Sequence, residues 1–308
     1  MKKNLCYSKA YKSYEKKKNS RFFYEKIIYF NKKKKSIILL LLISSLFFIY
    51  EKPIKKDIKI GLCVIAKNEN LYAREFVEHY KNIGYDKIFI YDNNDEKGEY
   101  FEDVINDYIK GGFVQIINFR QRNNRTSPIF DAYKDCYSKN NKKYTWLSFY
   151  DMDEFLELNT KYKTIKDFLK DKVFEKCRNI KINWLLFKND KILYYENKPL
   201  KERIKKYNYS EPGNMHIKST VKGNLFKNYW DKAGTPHSSN LKIKTCSSSG
   251  KLIQFDSPFN NPPDFTNAIL KHYYYKSFEE YCIKIKRGKC DFPKNISNEI
   301  KMILSIFT

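Results

Sequence analysis

Glycine and proline are scarce, at 10 and 9 residues in 308, which excludes collagen-like, linker-like and proline-rich chains. There are only four histidines, and the seven cysteines (Cys6, Cys63, Cys136, Cys177, Cys246, Cys282 and Cys290) are odd in number with no C-x-x-C pair. Neither a zinc cluster nor a disulfide framework is expected from that spacing. Cys63, in an apolar strand pattern, reads as a small buried hydrophobe rather than a nucleophile. No G-x-G-x-x-G and no G-x-x-x-x-G-K-[ST] occurs, so dinucleotide and P-loop fingerprints are missing and any phosphate charge has to be met by a metal.

What is present is an aromatic-rich chain, 42% apolar with 26 Tyr and 23 Phe, long enough to bury a sizeable core and incompatible with disorder throughout. The net charge of +25 suggests nucleic acid or anionic lipid at first sight. Residues 1–35, however, carry 13 basic residues against Glu15 and Glu25. The remaining excess is Lys scattered among Asn, Tyr and Ile, as compositional bias alone produces, and no nucleic-acid partner is expected.

Ser36 to Tyr50 is an uncharged run of 15 residues preceded by Lys32, Lys33, Lys34 and Lys35. A helix of that length spans roughly 22 Å, short of the roughly 30 Å hydrocarbon layer. A signal-peptide core is disfavoured because Phe47, Phe48, Ile49 and Tyr50 offer no small-x-small cleavage site. A buried soluble helix would show more polar positions than Ser44 and Ser45. The expectation is a basic cytoplasmic tail at 1–35, a membrane anchor at 36–50, a stem at 51–57, a catalytic domain at 58–295 and a tail at 296–308. The lysines before the run favour single-pass type II topology, in the ER or Golgi of a eukaryote or the inner membrane of a bacterium. Lys52, Lys55 and Lys56 on the far side weaken that asymmetry. Asn124, Asn208 and Asn295 open N-x-Ser/Thr sequons, a number that chance supplies in an Asn-rich chain.

After Ile58, apolar runs alternate with amphipathic stretches. IKIGLCVIA, KIFIYD, FVQIINF and YTWLSFY read as strands; LYAREFVEHYKNIG, YFEDVINDYIKGG and the segment from Pro128 to Tyr137 read as helices. Repeated βα units predict a Rossmann-like α/β domain with a mostly parallel sheet, whose ligands lie beyond the carboxyl ends of the strands. Polar residues follow each of three strands there: Lys67, Asn68 and Glu69; Asp92 to Asp95; Asp151, Asp153 and Glu154. Asp151 and Asp153, one residue apart in an extended segment, point to one side, which suits Mn²⁺ or Mg²⁺ shared with a diphosphate. The plain alternative is a solvated acidic turn, poorly matched to the flanking Tyr150 and Phe155.

The order of I-x-x-C-V-I-A-K-N-E at 60–69, Y-D-N-N at 91–94, W-x-x-F-Y-D-M-D-E-F at 146–155, I-N-W-x-x-F at 182–187, H-I-K-S at 216–219 and H-Y-Y-Y-K-S-x-E-E at 272–280 resembles glycosyltransferases of family 92 and the related family-2-like group. The resemblance implies a GT-A fold and an inverting transfer from a nucleotide sugar to a glycan or glycolipid hydroxyl, with the diphosphate bound through a metal at the D-x-D. It further implies nucleotide-sugar contacts at Lys67, Asn68, Glu69, Asp92, Asp151 and Lys276, and metal contacts at Asp151, Asp153 and His272. Lys289 or Arg287 would add phosphate-facing charge. Relatives often follow I-N-W-x-x-F with a Gly/Ser-rich turn, whereas Lys188, Asn189, Asp190 and Lys191 follow here. Asp190, Glu211 and Asp231 are candidate bases by chemical type, and the sequence does not choose among them.

His79 and His237 read as structural; Trp146, Trp184 and Tyr273 to Tyr275 read as core or as sugar-facing platforms. Two rival functions are a metal-dependent phosphodiesterase or nuclease, which would need a denser set of acids, and a non-enzymatic basic protein binding polyanions, which leaves the D-x-D unexplained.

Overall fold

Strand β1 (Ile60–Ala66) is buried along its whole length, which is why its seven residues read as a continuous apolar run. The computed structural model describes residues 57–120, 127–188, 191–225, 236–237, 243–253 and 258–287, with a few positions between 25 and 36. Helix α1 (Asn70–Asn82) follows β1 and buries Tyr72, Ala73, Phe76, Val77 and Tyr80. Burying a side chain the size of Phe76 contributes about 2 kcal/mol. Past the end of α1, Gly84 takes φ +93°, a left-handed conformation that glycine adopts without steric cost.

The βα pattern continues through β2 (Lys87–Asp92), α2 (Glu102–Lys110), β3 (Val114–Asn118), α3 (Pro128–Asn140, with proline in its first turn) and β4 (Trp146–Phe149). These strands pair in parallel in the order β3-β2-β1-β4. The later elements are β5 (Glu154–Leu158), α4 (Ile165–Lys170), β6 (Asn179–Lys188), α5 (Leu200–Arg203), β7 (Lys206–Tyr207), β8 (Ile217–Lys222), β9 (Thr245–Cys246), β10 (Ala268–His272) and α6 (Phe278–Arg287). They extend the sheet as β8-β6-β10-β5. Strand β8 is antiparallel to both β4 and β6, and β5 is antiparallel to β10. The sheet is therefore mixed, and the expectation of a mostly parallel sheet holds only for its first half. In its second half, β6 pairs in parallel with β10 and β9 while β8 and β5 run antiparallel to their neighbours.

Two disulfides correct the cysteine reading. Cys63 on β1 is bonded to Cys136 on α3, and Cys177 is bonded to Cys246 on β9. Their separations of 73 and 69 residues leave no local spacing signature. Cys63 is thus a buried cystine half and not a free hydrophobe.

Residues 1–57 and 58–308 form separate units. In the first, Glu25, Tyr29, Asn31 to Lys34 and Ser36 are helical and the described side chains are exposed. Most of the expected anchor (37–50), stem (51–56) and C-terminal tail lies outside the described residues. Among the described residues no helix is long and apolar enough to cross a membrane.

Candidate active site

Register brings Ala66, at the end of β1, opposite Asp92, at the end of β2, while β4 pairs on the other side of β1 and runs directly into Asp151. The three polar segments flagged in the sequence therefore lie at the carboxyl ends of neighbouring strands. Asn68 adopts φ +52°, and its N–H donates to Asn94 Oδ1 at 2.7 Å, tying the first loop to the second. A non-glycine residue in that region is strained and persists where its surroundings hold it. Lys67 pairs with Asp95 at 2.8 Å. Asp92 receives Arg120 Nε at 2.8 Å and the Asn94 N–H at 3.0 Å. Arg120 also donates to the carbonyls of Asp95, Glu96 and Glu99, closing the loop over Asp92.

Asp151, Met152 and Asp153 form a turn between β4 and β5, not the extended segment expected from sequence. The two carboxylates consequently have different partners. Asp151 accepts from Lys218 Nζ at 2.7 Å and from the Tyr133 hydroxyl at 3.2 Å. Lys218, on β8 with its side chain fully buried, also lies 3.4 Å from Glu154. Burial alone would raise the Asp151 carboxyl, but the Lys218 ammonium outweighs it and holds it below its ordinary value. The fully buried Glu154 is pushed well above its ordinary value by desolvation, which Lys218 offsets only in part. Glu154 is thus the acid of this trio most ready to hold a proton.

Asp153 faces a different cationic set. Lys284 Nζ donates to its Oδ2 at 2.7 Å, Lys276 Nζ lies 3.6 Å from the same oxygen, and His272 Nε2 lies 3.4 Å from Oδ1. The Lys284 and Lys276 ammonium groups hold the Asp153 carboxyl well below its ordinary value in spite of burial. Desolvation pushes the buried His272 imidazole below its ordinary value even though Asp153 opposes it. Lys276 sits at φ +53°, buried, 3.5 Å from Glu69 and 3.8 Å above the Tyr72 ring. Glu69 is further paired with Arg287 at 2.5 Å.

The residues here match a hard divalent cation in part. The His272 imidazole and the Asp153 carboxylate face each other at 3.4 Å, beyond good hydrogen-bonding distance, and His272 Nδ1 is buried with no hydrogen-bond partner. Mg²⁺-type sites commonly take one or two carboxylates and complete themselves with substrate phosphates, so Asp153, with His272 beside it, is the group that would hold one. Asp151 is turned to Lys218 instead. Among the described residues no three His, Cys, Asp or Glu side chains converge as a cation cage.

Trp184 is partly buried; its ring is stacked on His216 (centroids 4.6 Å apart, 17° between planes) and lies 4.3 Å from the His272 ring and 5.5 Å from the His237 ring. Trp146 belongs to the core. His79 Nε2 is bound to the Leu156 carbonyl at 2.8 Å, and His237 Nδ1 to the Ile217 carbonyl at 2.8 Å. Of the candidate bases, Glu211 is described: it pairs with Lys188 at 2.5 Å, and its charge reaches Tyr275 beside Tyr274 and His272. Asp190 and Asp231 lie outside the described residues, as does Lys289. The residues that sequence reasoning missed are Lys218, Lys284, Arg120 and Tyr133. Lys218 had a signal, a lysine at the second position of the strand sequence IKSTVK; the others had none.

Residues 59–254 match the family profile described as Glycosyltransferase family 92. The chain belongs to glycosyltransferase family 92. As a family-92 glycosyltransferase it is a transferase enzyme, and its mixed α/β domain carries the polar strand ends described above. Search of curated proteins returns no match. Among solved structures, the chain is similar to a crystal structure of S. aureus TarS at 11% identity and a TM-score of 0.37, covering 81% of this chain and 43% of that one. It thus spans less than half of that TarS chain. It is also similar to S. aureus TarS 1-349 in complex with UDP, at 10% identity and a TM-score of 0.38, covering 81% and 70%.

Proposed function

We propose that this family-92 glycosyltransferase moves a sugar from a nucleoside diphosphate donor to a hydroxyl of a glycan or glycolipid, by a single inverting displacement. The observation that supports this reading is the meeting of Asp153 with Lys276 and Lys284, and of Glu69 with Lys276 and Arg287, at the carboxyl ends of β4 and β1. Acids and bases interleaved in this way suit a ligand that brings both a diphosphate and a cation. Asp92, closed in by Arg120, and the strained Asn68 turn border the nucleotide side of the same strand ends.

A Mn²⁺ or Mg²⁺ held by Asp153 and His272, with Asp151 nearby, would supply charge neutralisation for the departing diphosphate. The chain's own residues do the rest. Lys276 and Arg287 present fixed positive charge to the leaving group, and charge-assisted contacts of this type strengthen as negative charge develops on it. A carboxylate takes the acceptor proton while the hydroxyl attacks the anomeric carbon. Asp190, Glu211 and Asp231 remain candidates for that role by chemical type, and Glu211 is paired with Lys188.

The catalytic domain is proposed to lie on the far side of a membrane from a basic N-terminal tail. Support comes from the four lysines ahead of residues 36–50 and from two buried disulfides, which persist in oxidising compartments and are rare in the cytosol. Thermal denaturation of the full chain with a panel of nucleoside diphosphates and Mn²⁺ tests the donor reading. At least one diphosphate is expected to raise the midpoint by several degrees, and by less in Asp153→Asn. No shift with any of them would remove it.

A further inference from the structure

Glu69 and Asp153 are two acids that share three cationic side chains, Lys276, Lys284 and Arg287. That leaves one positive charge more than the acids supply, a balance completed by an anion. A nucleoside diphosphate alone overshoots it, whereas a diphosphate with a divalent cation brings the total close to neutral. The local charge thus favours loading of both together.

The three cations are not equivalent. Lys276 is held in place on every side: its backbone is in the left-handed region, its side chain is buried, and its ammonium lies between Glu69, Asp153 and the Tyr72 ring. Arg287 is braced on Glu69 and on the carbonyls of Lys67 and Asn68. Lys284, one turn before Arg287 on α6, is partly exposed to a similar degree (18% against 15% of the side chain) but, among the described residues, pairs with a single acid and with no carbonyl of the loop after β1. Its ammonium makes the shorter of the two lysine contacts to Asp153 Oδ2, at 2.7 Å, and among the described residues it is otherwise steadied by the Tyr274 carbonyl at 3.3 Å and the Tyr274 ring. It holds Oδ2 of the carboxylate whose other oxygen faces His272, so its charge opposes a cation bound between Asp153 and His272, and its flexible stem can carry it elsewhere.

Building on the donor reading above, we infer that Lys284 competes with the divalent cation for Asp153, and that its ammonium passes to the diphosphate when cation and nucleotide load together. Lys284 then couples the two binding events: it weakens cation binding to the empty site and strengthens nucleotide binding to the loaded one. The exchange involves no covalent step, only a change of ion-pair partner.

The test compares the full chain in detergent with Lys284→Met and Lys284→Arg, titrating Mn²⁺ alone by electron paramagnetic resonance and then inorganic pyrophosphate with Mn²⁺ present by calorimetry. Lys284→Met is expected to bind Mn²⁺ alone about tenfold more tightly than the wild type and pyrophosphate at least fivefold more weakly. Lys284→Arg, which keeps the charge, is expected to stay near the wild type in both titrations. Equal or weaker Mn²⁺ binding by Lys284→Met overturns the inference, and the donor reading survives if the wild type still binds pyrophosphate with Mn²⁺. A wild type that binds neither Mn²⁺ nor pyrophosphate overturns both. A thermal midpoint for Lys284→Met within a few degrees of the wild type confirms that the comparison is between folded proteins.

Discussion

Glu280 is the anchor of α6, and its removal is expected to show in both stability and function. Its carboxylate takes both guanidinium nitrogens of Arg203 at 2.8 Å, the Tyr72 hydroxyl at 2.7 Å and the Ser277 N–H at 2.9 Å, and the paired side chains are 2% and 0% exposed. Burial would raise the Glu280 carboxyl, yet these donors together bring it down to about 2. Glu280→Gln leaves Arg203 buried without a counter-charge, a change that costs about 3–5 kcal/mol. For a domain of this size that lowers Tm by roughly 6–20 °C. Replacing both partners, as Glu280→Leu with Arg203→Met, is expected to recover much of the loss, because no charge is then left unpaired. The sign of the pH dependence follows from the depressed carboxyl. The stabilisation is fully present above the ordinary glutamate value near 4.5 and is lost as pH falls toward about 2, so Glu280→Gln should flatten the acid limb of the stability curve. Because α6 carries Lys284 and Arg287, the Gln variant should also bind pyrophosphate more weakly while it is still folded. Thermal and urea denaturation between pH 2 and 7 measure the effect. A Glu280→Gln midpoint within 2 °C of the wild type at pH 7 would refute the reasoning.

Lys181 is fully buried with the Ser219 hydroxyl and the Pro236 carbonyl as its partners, and desolvation pushes its ammonium down to about 7. The unfolded chain binds that proton more readily, so stability should rise with pH between about 7 and 10.5. Lys181→Met should add roughly 1–4 kcal/mol at pH 7, and an unchanged urea midpoint would count against it. Each disulfide closes a loop of about 70 residues, so Cys63→Ser with Cys136→Ser should cost about 2–4 kcal/mol in urea denaturation under oxidising conditions. Equal midpoints for this variant and the wild type would show that the pair is not bonded. If the domain faces a lumen, protease added outside intact microsomes or spheroplasts should spare residues 58–308, and the exposed sequon at Asn208 would be open to glycosylation in a eukaryotic host. Digestion by outside protease in microsomes would place the domain in the cytoplasm.

The first half of the fold was legible because β1 to β4 and α1 to α3 keep one period each, as Phe76 and Tyr80 on α1 illustrate. The second half was not. Strands β6 and β8 bury Asn179, Lys181, Asn183, Lys218, Ser219 and Thr220, which erase the apolar alternation that marks a strand. Asn183 shows why polar residues are retained there. It holds the carbonyls of Asn214 and Met215, the Asn260 amide and the Asp264 N–H, binding loops to the sheet through hydrogen bonds that no periodicity reveals. At the site, the acids were readable from their place after strands, and His272 and Lys276 from the motif that contains them. Their pairing was not, because Asp151 and Asp153 lie in a turn that sends one toward β8 and the other toward α6. Contacts spanning 67 and 131 residues leave no trace in local spacing.

The central claim, donor chemistry at the Asp151–Asp153 turn, is tested most directly by release of nucleoside diphosphate from a panel of nucleotide sugars. The assay would use the wild type and Asp153→Asn, each with Mn²⁺ and with EDTA. At least one nucleotide sugar is expected to be consumed by the wild type with Mn²⁺, with turnover falling at least a hundredfold in a folded Asp153→Asn variant and in EDTA. Turnover that survives both Asp153→Asn and EDTA would contradict the account.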